Sequence, residues 1–410
     1  MRKKDEKKLM VSLDIGTSKV VAIIAAISAS EEIEVVGVGW EPSRGLKKGV
    51  VVDIESTISS IQRAVEKSEK MAGCEVVGVT AGIAGAHVRS LNSNGIVAIK
   101  DNEVSQEDIN RVIDAAQAVA IPTDQKLLHI LPQEYIIDGQ GGIRDPIGMS
   151  GVRLEARIHM ITGAVSAIQN IEKCITRCGL VVDDIILQQL ASSSAVLTED
   201  EQNLGVCLCD IGGGTTDIAV YIDGAVHHSA AISVAGDQVT NDIAIALTTP
   251  TKDAEDLKIR FACALTQLAD TNEQIEVPSV GDKPPRTLTR HTLAEVVEPR
   301  YEEIFGLIYE ELERAGILAK IGAGIVLTGG GSKLSGALEL AEEIFNMPVR
   351  IAIPTKISGL KDVVRNPIYS TGIGLILFGN DPKNNSKWIS ESNNQGSFFY
   401  KFKNWFHKNF

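Results

Sequence analysis

Eight consecutive residues, Asp210-Ile-Gly-Gly-Gly-Thr-Thr-Asp217, follow an apolar strand-like run. Gly212, Gly213 and Gly214 let backbone N–H groups turn inward around phosphate oxygens, where a Cβ would block the approach. Asp210 can hold Mg²⁺ through water, because that ion keeps most of its waters and takes few carboxylates; Thr215 and Thr216 can add hydroxyl donors. A second run, Asp14-Ile-Gly-Thr-Ser-Lys19, begins in the same way. Gly16, Thr17 and Ser18 can face the same phosphates, and Lys19 can neutralise them. A third, Ile325-Val-Leu-Thr-Gly-Gly-Gly-Ser332, ends an apolar strand in Gly329, Gly330, Gly331 and Ser332. It leads into a helix expected over 333–345, a step on which a flat base can lie against backbone. Gly236 and Asp237, with Glu255 and Lys258 three residues apart on a helix, can reach ribose hydroxyls and the base; the other reading of Glu255 and Lys258 is a solvated ion pair. Taken alone, each glycine loop could be an ordinary turn. Neither a GxxxxGK[ST] loop nor a dinucleotide fingerprint occurs, so phosphate binding would not come from those folds.

The elements around these loops repeat. VSLDIGTSKVVAIIAAI followed by EIEVVGVGW reads as three short β-branched strands in an antiparallel meander. Nearly two hundred residues later the pattern returns as GVCLCDIGGGTTDIAVYIDGAVHHSAAIS. Each copy leads into a helix, one over 53–72 with Ile54, Ile58, Ile61 and Val65 on one face, the other over 236–247. The simplest architecture is an α/β protein of two homologous lobes around one cleft. Residues 85–161 read as an inserted small α/β subdomain: a hairpin around Asn92 to Gly95, a helix capped at Ser105 with Asp108 three residues on, and strands near Leu127 and Val152. IEVPSVGDKPPRTL reads as a Pro-rich hairpin, and 293–314 as a long helix that Pro299 should kink or restart.

Composition sets limits on partners. The chain has 410 residues and a net charge of −13, yet residues 381–410 hold five lysines against Asp381 and Glu391, a net +3 that leaves −16 for the rest. An acidic body argues against nucleic acid, and a short basic end suits an anionic membrane surface. The six cysteines lack the paired spacing of a zinc site or disulfide framework and read as small buried hydrophobes in a reducing compartment. The apolar run from Leu9 to Ile27 imitates a signal anchor, but Asp14 and Lys19 interrupt it, and no segment is expected to span a bilayer.

Three ordered glycine loops on a duplicated lobe resemble the phosphate 1, phosphate 2 and adenosine motifs of the actin, sugar kinase and heat-shock chaperone superfamily. Within it the chain resembles the FtsA family of bacterial cell-division proteins over essentially its full length. The segments PSRGLKKGVVVDIES, HILPQEYIIDGQ, DPIGMSGVRLEAR, ASSSAVLTEDEQNLGV, IEVPSVGDKPPR, TLAEVVEPRYEEI and GIVLTGGGSKLSG carry that resemblance. It implies an actin-like duplicated ATPase fold, ATP with Mg²⁺ in the cleft, and self-association into filaments. It also implies docking of the tubulin-like protein FtsZ on the second lobe, and contacts of the inserted subdomain with other division proteins. By the same resemblance Arg300 and Tyr301 would receive the acidic C-terminal peptide of FtsZ; otherwise they are ordinary helix surface.

Superfamily ATPases position the attacking water with Glu or Gln at the segment joining the lobes, which here reads IILQQLASSS. Gln188 is the better match and Gln189 the fallback, and both could be simple polar linker residues. A neutral amide orients water but is a poor base, so turnover should be slow or partner-dependent. In the terminal run SFFYKFKNWFHKNF, Phe398, Phe399, Phe402, Trp405, Phe406 and Phe410 fall on one face of a helical wheel, with Lys401 and Lys408 opposite. That pattern fits an amphipathic helix lying in the headgroup region at the cytoplasmic face of the inner membrane; its alternative is a helix docked on protein. The expected division is therefore a first lobe over 1–84, the insertion over 85–161, a return and connecting segment over 162–204, and the second lobe over 205–358. A closing helix over 359–379, a flexible linker over 380–396 and the amphipathic helix over 397–410 follow. Function reads as an ATP-binding, polymerising tether of FtsZ filaments to the membrane. A small-molecule kinase of the same superfamily is the alternative; it would need a catalytic Asp beside a substrate pocket, and none is evident.

Overall fold

The computed structural model of the chain describes residues 8–281 and 284–381. Strands β1 (Lys8–Ile15), β2 (Lys19–Ile27) and β3 (Ile33–Pro42) form the expected antiparallel meander. Val20 to Ile27 are all buried, so β2 reads as a continuous apolar run because its sheet is covered on both faces. Helix α1 (Ile54–Ala72) starts at Asp53, whose carboxylate accepts from the Ser56 amide at 3.2 Å, and ends at Gly73 in the left-handed region. It lies directly on β3, where a Cβ on Gly39 would come within 2.8 Å of the Ser68 amide nitrogen. Strand β4 (Gly78–Ile83) then runs parallel to β1.

The inserted unit is a four-stranded antiparallel sheet, ordered β5-β8-β6-β7, with one helix on it. Its elements are β5 (Val88–Ala98), α2 (Gln106–Gln117), β6 (Gln125–Ile137), β7 (Gln140–Ile143) and β8 (Arg153–Ala164). Ser105 and Asp108 form a reciprocal capping box at the start of α2. The expected hairpin at Asn92–Gly95 is not there: those residues pair in register with His159 to Ala156, mid-strand. Gly95 is instead a packing glycine, since a Cβ would lie 2.5 Å from the Ala116 amide of α2.

Helix α3 (Val165–Arg177) and β9 (Val181–Leu187), parallel to β4, complete the first lobe before α4 (Gln188–Val196) crosses to the second. There β10 (Val206–Ile211), β11 (Thr216–Ile222) and β12 (Ala225–Ile232) repeat the meander. Next come α5 (Gly236–Ala246), α6 (Thr251–Phe261) and the hairpin of β13 (Gln274–Val277) with β14 (Arg286–Thr289). Helix α7 (Arg290–Arg314) runs through Pro299 without restarting. Pro299 and Glu295, whose carbonyl loses its partner, are both exposed, where water can take the missing bond. The chain closes with β15 (Ile325–Thr328), α8 (Ala337–Phe345), β16 (Val349–Ile351), β17 (Ser358–Gly359) and α9 (Ser370–Asn380). Helix α8 starts four residues later than expected, behind Gly336 at φ 77°. The closing segment is helical over Ser370–Asn380 and, separately, over Lys361–Val364, with Asn366 and Pro367 between them.

The duplication is explicit in the topology. One sheet is ordered β9-β4-β1-β2-β3-β17 and the other β12-β11-β10-β15-β16: in each, a meander is extended by two parallel strands on the side of its first strand. The insertion has its own apolar core and so has the outer part of the second lobe, while the first lobe's core continues onto the second lobe's sheet at Leu208, Ala219, Tyr221 and Val326. Among the described residues no helix is long and apolar enough to cross a membrane, and the Leu9–Ile27 run is the β1–β2 pair. The linker from residue 382 onward and the aromatic run over 397–410 lie outside the described residues.

Candidate functional site

The two phosphate-type loops are built alike. Gly16 N–H donates to the Lys19 carbonyl and Gly212 N–H to the Thr215 carbonyl, both at 2.9 Å, closing equivalent turns between paired strands. They face each other at contact distance. A Cβ on Gly213 would lie 2.8 Å from Ser18 Cβ, and one on Gly214 would lie 2.5 Å from Thr17 Oγ1. Thr17 is held in place by the Gly49 amide, which donates to its hydroxyl at 3.1 Å. The second loop also leans on α5: Gly236 and Asp237 amides donate to the carbonyls of Gly212 and Gly213 at 3.1 and 2.7 Å.

Three carboxylates, Asp14, Asp210 and Asp217, are buried where β1, β10 and β11 meet the loops. Asp210 Oδ2 accepts from Ser192 of α4 at 2.5 Å and from Thr371 of α9 at 3.2 Å. Asp217 Oδ2 accepts from Thr215 at 2.8 Å, while its Oδ1 is buried with no partner. Burial pushes Asp14 up to about 6 against the pull of Lys19, and pushes Asp217 up to about 7, with the Asp210 charge adding to the rise. Asp210 is raised by the same desolvation, opposed chiefly by the Ser192 hydroxyl. A site that raises three neighbouring carboxylates and leaves one buried oxygen orphaned fits a cation brought with its own waters and phosphate oxygens. Among the described residues no three His, Cys, Asp or Glu side chains stand together as a preformed metal site.

Other residues singled out by the sequence divide into those the cleft gathers and those it does not. Lys19 Nζ lies 3.8 Å from Asp14 Oδ2, donates to the Ile368 carbonyl and stands over the Tyr369 ring. Thr216 is not a free donor: it opens β11 and spends its hydroxyl on the Val234 carbonyl at 2.8 Å. Lys258 is mostly buried and donates to the Gly236 carbonyl at 3.0 Å and to Thr240 at 2.8 Å, besides its 2.7 Å pair with Glu255. It thereby packs beside the second loop, while Glu255, the other half of the pair, is 40 % exposed. Asp237 is raised by burial there, with Lys258 opposing. In the third loop Gly329 sits at φ 81° and a Cβ on it would lie 2.6 Å from the Ile211 carbonyl, while one on Gly330 would lie 3.7 Å from Ile368 Cγ2, an ordinary contact. Ser332 is buried and holds the Gly329 carbonyl at 2.8 Å.

The two glutamines part company. Gln188 Nε2 donates to Asp14 Oδ1 at 3.2 Å, inside the cleft. Gln189 is fully buried on the opposite side of α4, its amide reaching the Ala230 carbonyl of β12 at 3.4 Å. Arg300 is about a quarter exposed and clasps Asp242. Tyr301 corrects the surface expectation: it is 1 % exposed and its hydroxyl donates to the Gly331 carbonyl at 2.8 Å. Ser192 and Thr371 were not foreseen. Ser192 was readable in principle, standing one helical turn after Gln188 on the face of α4 that meets the cleft; Thr371 carries no local signal.

Two meanders of equal topology, joined through glycine loops over buried aspartates, define an actin-like fold. Solved structures agree: the PilM–PilN type IV pilus biogenesis complex aligns at a TM-score of 0.66 and 14 % identity, over 91 % of this chain and 99 % of that one. MreB5 of Spiroplasma citri bound to ADP aligns at 0.56 and 17 %, over 92 % and 98 %. Residues 207–374 match the family "Cell division protein FtsA", and residues 85–162 match "SHS2 domain inserted in FTSA". The cell division protein FtsA of Pseudomonas aeruginosa is 65 % identical over 372 residues, 91 % of this chain and 89 % of that protein. That of Escherichia coli K12 is 44 % identical over 420 aligned positions, covering both chains completely. The chain belongs to the FtsA family of cell division proteins.

Proposed function

We propose that this chain is a nucleotide-controlled membrane tether for FtsZ filaments: ATP with Mg²⁺ closes the cleft, closure favours self-association, and the C-terminal run holds the assembly on the membrane. The carrying observation is the pair of glycine loops in contact across three buried carboxylates, one with an orphaned oxygen. Phosphates would take the backbone N–H groups of Gly213 and Gly214, with Thr17 and Ser18 on the facing turn, and Asp210 would hold the cation through water. The bound cation would supply positive charge to the phosphate oxygens and to carboxylates that burial disfavours in the charged form. Gln188, not Gln189, stands where a water could be oriented, and a neutral amide there supports slow turnover. MreB5, bound to ADP in its crystal structure, shares the fold and makes a nucleotide a natural occupant. Family membership disfavours the small-molecule kinase.

For the partner, Arg300 offers a part-exposed guanidinium to an acidic peptide such as the FtsZ C-terminus. For the membrane, the aromatic and basic faces of residues 397–410 suit an interfacial helix on anionic lipid. Sedimentation of the full chain with liposomes, with and without ATP and FtsZ, tests the whole. The sharpest arm is Trp405→Glu, which puts a carboxylate among the aromatics and should abolish flotation on neutral and anionic vesicles alike. Lys401→Glu with Lys408→Glu should weaken binding only on anionic vesicles at low salt. Wild-type flotation by Trp405→Glu would place the anchor elsewhere.

A further inference from the structure

Two neighbouring residues of α7 hold two different elements of the second lobe, α5 and the third glycine loop. Tyr301 stands edge-on to Phe305, with ring centroids 5.9 Å apart, and holds the Gly331 carbonyl at the tip of the third glycine loop. Arg300 Nε and Nη2 reach Asp242 Oδ2 and Oδ1 at 2.6 and 3.1 Å, a two-pronged pair, and Nη1 also meets Glu303. Asp242 rides on α5, and that helix opens with the two amides that hold Gly212 and Gly213 of the second loop. Thr240, one turn above, is tied to both Lys258 and Glu255 of α6. A displacement of α7 is therefore felt at the third loop through residue 301 and at the second through residue 300. Asp242 and Glu303 already occupy the guanidinium as an external acidic ligand would.

We infer that Tyr301 is a positioning residue for the base-side loop, and that the Arg300–Asp242 pair makes α7 a link between the cleft and an acidic ligand. A ligand carboxylate that takes the Nε–Nη2 edge of the guanidinium must displace Asp242, which loosens α5 against the second loop, so acidic peptide and nucleotide weaken each other's binding. The inference rests on the nucleotide reading above. Thermodynamic linkage requires the weakening to be equal in both directions.

Titration of the full chain with fluorescent ATP and ADP, with a synthetic Asp/Glu-rich peptide as probe, tests both parts. Tyr301→Phe keeps the ring and removes one hydrogen bond, so ATP and ADP should each bind about three- to tenfold more weakly and by the same factor, while tripolyphosphate competes as before. A purely structural tyrosine would lower the melting temperature and leave both affinities unchanged, and that result overturns the positioning role. Saturating peptide should weaken ATP binding to the wild type. Asp242→Asn should bind the peptide more tightly and no longer transmit its effect to ATP. An ATP affinity indifferent to bound peptide, or a peptide that binds neither protein, overturns the link. Absence of ATP binding by the wild type overturns the nucleotide reading itself, and this inference with it.

Discussion

The two meanders are the same piece of chain used for opposite purposes. Both carry a buried aspartate, Asp14 or Asp210, one residue before the end of their first strand, and both close the following turn with the same 2.9 Å hydrogen bond. The first turn then presents side chains, Thr17 and Ser18. The second presents bare backbone, Gly213 and Gly214, directly against them. Equal loops could not meet this closely: two hydroxyl-bearing turns would collide, and two glycine turns would leave a gap. Divergence of the duplicated unit into a side-chain half and a backbone half is what lets both approach one ligand.

The largest expected effect breaks this asymmetry. Gly213→Val places carbon where Ser18 already is and should weaken nucleotide binding at least about 100-fold, whereas Ser18→Ala on the facing turn removes one hydroxyl and should weaken it only about threefold. Equal losses, measured by titration with fluorescent nucleotide, would show that the halves do the same work.

The carboxylates sharpen the comparison through pH. With Asp14 raised to about 6 and Asp217 to about 7, the folded chain keeps protons that the unfolded chain has released above the ordinary range near 4. In the absence of nucleotide and divalent cation, stability should fall as pH rises from about 4 to 7 and return on acidification. Asp217→Asn should recover on the order of 2–4 kcal/mol at pH 8, seen as several degrees in Tm by differential scanning calorimetry. A Tm of the wild type that is level or rising between pH 5 and 8 would contradict the burial argument.

The smallest effect separates neighbours on α4. Gln188→Ala should slow ATP turnover about tenfold with little change in affinity, because its amide faces Asp14. Gln189→Ala should leave turnover alone and cost about 1–2 kcal/mol of stability, because its amide is buried against β12. Turnover assays and denaturant melts of the pair give the answer; reversed results would exchange the roles of the two lobes at this helix.

Much of this was legible before any coordinates. Period-two apolar runs, Asp-Ile-Gly turns and the Ser105–Asp108 box are local signals, and local physics settles them. Asn92 to Gly95 misled because Asn-Gly favours turns on its own, while here the backbone is held extended by β8 and the glycine is required by α2 lying on it. Tyr301 misled for a related reason: adjacency to Arg300 in sequence says nothing about side, since successive helix residues point about 100° apart, one outward and one to the core. Thr371 was illegible because its partner Asp210 is 161 positions away and no pattern connects them.

Helix α9 brings Thr371 onto Asp210, and its glycines let it lie against the Ile23 side chain and almost backbone to backbone on α4. A Cβ on Gly372 would come 2.8 Å from Ile23, and one on Gly374 would come 2.9 Å from the Ser192 amide. Mechanically, this helix is the last described element before residues 382–410 in the sequence. Tension applied there does not peel a surface loop. It is delivered along a helix seated against β1 and α4, and it reaches a carboxylate of the cleft through a single hydroxyl.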